Sequence, residues 1–135
     1  MPYYPINNNL ILPANLANQK GVYVIYALNP DETPQAINRV LKTDKNGVLY
    51  IGQTTKQTFK DRLDMFRRVM NPDYAATAHS GGMNLKQIPA LRNRFPANCI
   101  YVQVFPHQNP KDEEERMIEE YRQEFGEVPP LNGSK

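Results

Sequence analysis

The chain has 135 residues, which fits one domain with one modest core, and its net charge of +2 names no partner by itself. It is 40% hydrophobic and 22% charged, with no apolar run near the ~20 residues a membrane span needs and no basic-then-apolar signal-peptide start. These features exclude membrane-spanning and disulfide-rich classes and lead us to expect a cytoplasmic protein with no membrane partner. The one cysteine, Cys99, cannot form an internal disulfide and is expected to be a buried thiol in an apolar strand.

Residues 1–20, rich in Asn and Pro, are expected to form an arm that packs on a single domain of residues 21–135. Gly21–Ala27 predicts a strand, with Val22, Val24 and Tyr26 on one face and Tyr23 and Ile25 on the other. Residues 28–47 carry Pro30, Pro34 and Gly47, with a short helical turn expected over 36–41. Asp44-Lys45-Asn46-Gly47 signals a turn before a second strand, Val48–Gln53. Thr58 with Asp61 reads as a capping box. The helix behind it lines up Phe59, Leu63, Phe66 and Met70 on one apolar face, and Pro72 stops it. His79-Ser80-Gly81-Gly82 reads as a loop. Residues 83–95, with Met83, Leu85, Leu91 and Phe95, read as weak helix, interrupted or kinked near Pro89. Residues 99–105 predict a third strand, and 112–125 a long helix capped by Gly126. The expected class is α+β: a small three-stranded, mainly antiparallel sheet flanked by helices in the order β-β-α-α-β-α.

Charge is unevenly placed. Residues 56–94 hold eight Lys/Arg against three acids, and residues 111–127 hold eight acids against three bases. Two solvated helix faces would explain this, and so would a phosphate-facing surface beside a carboxylate-bearing metal site. Glu114 lies three, four and seven residues before Met117, Ile118 and Tyr121, on the apolar side of its own helix. A carboxylate there must turn out to solvent, pair with an arginine or bind a metal. Arg62 stands at the border of the apolar face between Phe59 and Phe66, as an ion-pair partner or a guanidinium aimed at a phosphate. Tyr23 and Tyr50, taken singly, are ordinary strand tyrosines with core-packed rings.

In order along the chain stand Gly21-Val22-Tyr23, Tyr50-Ile51-Gly52, a polar turn leading to Arg62 one turn into a helix, and Glu114-Glu115-Arg116-Met117-Ile118 heading another. Asn132 closes the series in Pro130-Leu131-Asn132. With these motifs the sequence resembles the GIY-YIG nuclease family over residues 21–132. His79, a loop histidine before a basic helix, resembles the homing-endonuclease branch. Glu114 takes the family acid's place, with Glu115 the alternative frame. The chain departs from compact members in the long stretch between Tyr23 and Tyr50, in the length from Glu114 to Asn132, and in Phe66, where some members carry a histidine.

The resemblance implies metal-dependent phosphodiester hydrolysis with Tyr23, Tyr50, Arg62, His79, Glu114 and Asn132 as catalytic residues. Glu114 would hold Mg²⁺ or Mn²⁺, since hard cations prefer oxygen ligands. Tyr23 would take the proton from the attacking water, Tyr50 would orient water or phosphate, and Arg62 would neutralise charge on the phosphoryl oxygens. Asn132 would tie the C-terminal segment to the site or touch the phosphate. Lys56, Lys60, Arg67, Arg68, Lys86, Arg92 and Arg94 are candidates to track a nucleic-acid backbone. The expected partner is DNA, with RNA left open. Specificity is assigned to residues 28–47, residues 71–98, a homodimer or a separate partner. The competing readings are a nucleic-acid-binding domain that does not cut, an RNase or toxin-type nuclease, and a structural α+β module whose Glu114 pairs with an arginine.

Overall fold

Gly21–Ala27 is the central strand of the molecule, paired along both edges and covered on both faces. The computed structural model describes residues 2–6, 10, 12–71 and 79–133, apart from the side chains of Ser80, Met83 and Lys86. In chain order the elements are β1 (Tyr4–Pro5), α1 (Ala14–Ala17), β2 (Gly21–Ala27), β3 (Ile37–Asn38), β4 (Thr43–Asp44) and β5 (Val48–Gln53). They continue with α2 (Phe59–Met70), α3 (Ser80–Gln87), α4 (Pro89–Arg94), β6 (Ile100–Pro106) and α5 (Pro110–Phe125). The protein is an α+β fold with a small antiparallel main sheet, ordered β1-β6-β2-β5, and a separate β3-β4 hairpin.

The main sheet has one strand more than the three expected. The N-terminal arm supplies it: Tyr4 pairs with Val102, the Ile6 N–H donates to the Ile100 carbonyl at 2.9 Å, and the Ile6 side chain is fully buried. Without this segment β6 would present an open row of backbone donors and acceptors. Two residues ending in proline carry no readable period, so the strand is invisible to pattern analysis.

Alternate side chains of β2 enter two different cores. Val22 and Val24 pack with Ile51 against Ile118, Tyr121 and Phe125 of α5. Tyr23, Ile25 and Ala27 pack on the opposite face against Phe59, Leu63 and Phe66 of α2, Leu85 of α3 and Phe95. Complete burial of a side chain such as Leu63 or Phe66 contributes about 1.5–3 kcal/mol. The α2 cap is the one expected: Thr58 Oγ1 accepts the Asp61 N–H at 3.3 Å. Pro72, the expected stop, lies outside the described residues. Helix α5 begins two residues earlier than expected because Pro110 suits a first helical position. It ends at Gly126, whose φ of 83° is the left-handed conformation that glycine adopts without strain.

Three local expectations are corrected. The segment 36–41 is not a helical turn. Ile37 pairs with Asp44 and Asn38 with Thr43, while the hairpin tip docks on the end of α5. There the Leu41 N–H donates to the Phe125 carbonyl at 3.0 Å, and Arg39 reaches the Val128 carbonyl at 2.7 Å and the Glu127 carboxylate at 2.9 Å. His79-Ser80-Gly81-Gly82 is not a loop, because His79 caps α3 and the helix starts at Ser80. Its glycines serve close packing: a Cβ at Gly81 would stand 2.8 Å from Tyr50 Cδ1. Cys99 is buried as expected, but in a 3-10 turn (Ala97–Cys99) rather than a strand. The interruption expected near Pro89 is present as a break at Ile88, held extended because the ring that follows excludes the helical region.

Candidate active site

Register places the first two site residues. Tyr23 pairs with Gly52 and Ile25 with Tyr50 across β2 and β5, so both tyrosines face α2 and α3, with ring centroids 6.1 Å apart. Gly21 admits the neighbouring strand, since a Cβ there would lie 2.2 Å from the Phe105 carbonyl oxygen. His79, the α3 cap, completes an aromatic cluster. Its ring is 5.2 Å from Tyr50 and meets the Phe66 ring edge-on at 5.0 Å. Its Nε2 lies 2.7 Å from the Tyr23 hydroxyl, and its Nδ1 accepts the Gly82 N–H at 3.3 Å.

Arg62 is half-buried on α2 and hydrogen-bonds to the Tyr23 hydroxyl. Burial pushes that hydroxyl well above its ordinary value, and Tyr50 adds to the rise. The charge and hydrogen bond of Arg62 pull against it, and the Glu114 carboxylate pushes further up. The phenol is therefore protonated at neutral pH in this state. His79 is shifted the other way. Burial, then the Arg62 charge, push it down to about 3, so its imidazole is neutral.

Glu114 is half-buried and Glu115 exposed, and Glu114 is the one whose charge reaches Tyr23. Two open clefts adjoin the site. One, of about 350 Å³, is lined by Gln53, Lys111, Glu114, Glu115, Ile118, Glu119 and Arg122. The other, of about 420 Å³, is lined by Gln53, Thr54, Thr55, Lys56, Gln57 and Arg62. Helices α2 and α5 pack on opposite faces of the sheet, and Gln53 at the end of β5 borders both clefts.

Asn132 is tied to the sheet. Its Oδ1 accepts the Ile51 N–H at 3.0 Å and its Nδ2 donates to the Ile51 carbonyl at 2.9 Å. The Leu131 N–H donates to the Leu49 carbonyl at 2.8 Å. Of the two roles expected for Asn132, tying the C-terminal segment is the one its hydrogen bonds serve. The basic residues scatter. Lys56 lines the Arg62 cleft. Lys60 borders a different cavity with Leu10, Leu12 and Ala17. Arg67 is bonded to Asp64 at 3.5 Å, and Arg68 and Arg92 are exposed. Arg94 bonds Gln35 Oε1 at 2.5 Å and lies over the Phe95 ring. The Lys86 side chain, like residues 72–78 of the segment 71–98, lies outside the described residues.

Sequence reasoning missed Gln53 and Lys111. Both had a signal: Gln53 directly follows Tyr50-Ile51-Gly52, and Lys111 lies one helical turn before Glu114. Among the described residues no group of three or more His, Cys, Asp and Glu side chains forms a cage for a metal. The half-buried Glu114 carboxylate, on an open cleft, does suit Mg²⁺, which keeps several waters and takes its remaining ligands from substrate phosphates. No helix among the described residues is long and apolar enough to cross a membrane. Compared with known proteins, the chain matches no family model, no curated protein and no solved structure.

Proposed function

We propose that this chain is a divalent-metal-dependent endonuclease of the GIY-YIG type, acting on phosphodiester bonds in DNA. The observation that carries this is the meeting of five segments: Tyr23 beside Tyr50 and His79, bonded to Arg62 and within reach of the Glu114 charge. A plain structural module has no need to bury a tyrosine hydroxyl between an arginine and a histidine beside two open clefts. The Tyr23–Gly52 register between the two motif strands also supports the assignment.

In this mechanism Glu114 holds Mg²⁺ or Mn²⁺. When bound, such an ion would supply positive charge beside a phosphate oxygen and the leaving oxygen. Arg62 neutralises charge growing on the phosphoryl group. Tyr23 orients the attacking water: local positive charge lowers the phenol's affinity for its own proton, which is released to solvent water, and the phenolate Oη then receives the proton of the attacking water. Tyr50 packs against Tyr23 and fixes its ring. Lys56 and Lys111, one on each cleft, meet the phosphates on either side of Gln53.

One observation favours a second reading, a domain that binds nucleic acid without cutting: Tyr23 is only 1% exposed and its hydroxyl is held protonated. One experiment separates the two. Purified protein is incubated with supercoiled plasmid, and separately with single-stranded RNA, with Mg²⁺, Mn²⁺ or EDTA. Glu114→Ala and Arg62→Ala are run alongside. Metal-dependent nicking of plasmid, reduced at least about 100-fold in both variants, is expected. A plasmid bound but never cut selects the binding domain. Equal cutting by Glu114→Ala overturns the mechanism, and cutting of RNA alone moves the substrate class.

A further inference from the structure

We infer that His79 is a positioning residue: a fixed hydrogen-bond donor that aims the Tyr23 hydroxyl, not a base that takes its proton. A neutral imidazole has one N–H and one lone pair, and a partner on one nitrogen decides the role of the other. The partner here is backbone. The Gly82 N–H points at His79 Nδ1 from 3.3 Å, as the cap of α3. An amide N–H can only donate, so Nδ1 is the acceptor and Nε2 carries the hydrogen. Nε2 lies 2.7 Å from the Tyr23 hydroxyl oxygen, so the imidazole donates to that oxygen.

The opposite tautomer would set two N–H groups against each other in a site where His79 is fully buried. It would also break the helix cap. The ring cannot swing away, because Tyr50 and Phe66 pack against it and Gly81 holds the backbone close to Tyr50.

The consequence reaches Tyr23. Its oxygen receives Nε2–H from His79 and a second hydrogen bond from Arg62. Its own O–H must then point away from both. A phenolate formed at this oxygen would meet two donors already in place, and its proton would leave to solvent water, because Nε2 of His79 already carries a hydrogen. The catalytic consequence rests on the nuclease assignment; the tautomer does not.

The test keeps the two apart. Nitrogen-15 NMR of the full chain, with His79 assigned through a His79→Gln comparison, is expected to give the neutral Nε2–H pattern, unchanged between pH 5 and pH 8 (roughly the range around an ordinary imidazole value). A neutral Nδ1–H pattern, or protonation inside that range, overturns the inference. His79→Gln keeps a donor near the Nε2 position, whereas His79→Asn keeps a capping oxygen near Nδ1 and cannot reach Tyr23. With both variants folded by circular dichroism, plasmid cleavage should fall about 10- to 100-fold in His79→Asn and be largely rescued in His79→Gln. Full activity in His79→Asn with loss in His79→Gln overturns the donor role. A chain that cuts nothing yet shows the Nε2–H pattern overturns the nuclease assignment alone.

Discussion

The Tyr23 ring lies directly over Gly52: a Cβ built at position 52 would stand 2.4 Å from Tyr23 Cζ and 2.5 Å from its hydroxyl oxygen. The backbone at Gly52 is not left-handed, so space and not conformation demands glycine. Gly52→Ala should push the phenol off its bond with His79. The expected loss is about 1–3 kcal/mol in denaturant unfolding, the usual cost of overpacking a filled core. An unchanged midpoint would mean that the strand yields without disturbing Tyr23.

Asn132 acts on the edge strand as a one-residue partner. Its side-chain amide matches the N–H and carbonyl of Ile51, between Tyr50 and Gly52. Asn132→Ala should remove about 1–3 kcal/mol, from two hydrogen bonds at roughly 0.5–1.5 kcal/mol each. Asn132→Asp should be no better than Ala, because a carboxylate oxygen would face the Ile51 carbonyl where an N–H now donates. Chemical denaturation checks both, and amide exchange at Ile51 should quicken in each.

Buried Asp44 joins the insertion between the motif strands to α5. Its Oδ1 accepts the Asn46 N–H at 2.8 Å, and its Oδ2 accepts the Val48 N–H at 3.1 Å and the Tyr121 O–H at 2.8 Å. Tyr121→Phe removes one donor to a buried carboxylate and should cost about 1.5–3 kcal/mol. Asp44→Asn should cost more, because an amide offers one acceptor oxygen to three donors. Since α5 also carries Glu114, the order Asp44→Asn below Tyr121→Phe below wild type should appear in thermal unfolding. The reverse order would show that the turn tolerates the amide.

What was legible in the sequence is what depends on neighbours along the chain. Val48–Gln53, the Thr58 cap, the buried face of α2 and the Gly126 stop follow from local periods and cap chemistry. β1 was not legible, because its two residues gain their reason from β6, about a hundred positions away. Consecutive glycines after His79 argue against helix, and only the Tyr50 ring explains Gly81. Arg62 and Glu114 stood out as polar residues at apolar borders. Their relation to Tyr23 needed the strand register and two helices packed on opposite faces.

The buried imidazole also gives stability a pH dependence whose sign is fixed. In the unfolded chain His79 titrates near its ordinary 6.5, and in the folded chain it is pushed down to about 3. Between these values the unfolded state holds the extra proton, so stability falls as pH drops through that window and is regained as pH rises. The loss is about 1.4 kcal/mol per pH unit below the unfolded value, or about 2 kcal/mol from pH 7 to pH 5. Asp31, Glu113 and Glu119 have depressed carboxyls, which protonate only below the usual carboxylate range. These three carboxyls therefore add little to the slope between pH 7 and pH 5, and the His79→Gln comparison assigns the histidine's share. Urea unfolding across that interval should show the slope in the wild type and lose it in His79→Gln. A wild-type curve that is flat there would mean that the folded site accepts the proton.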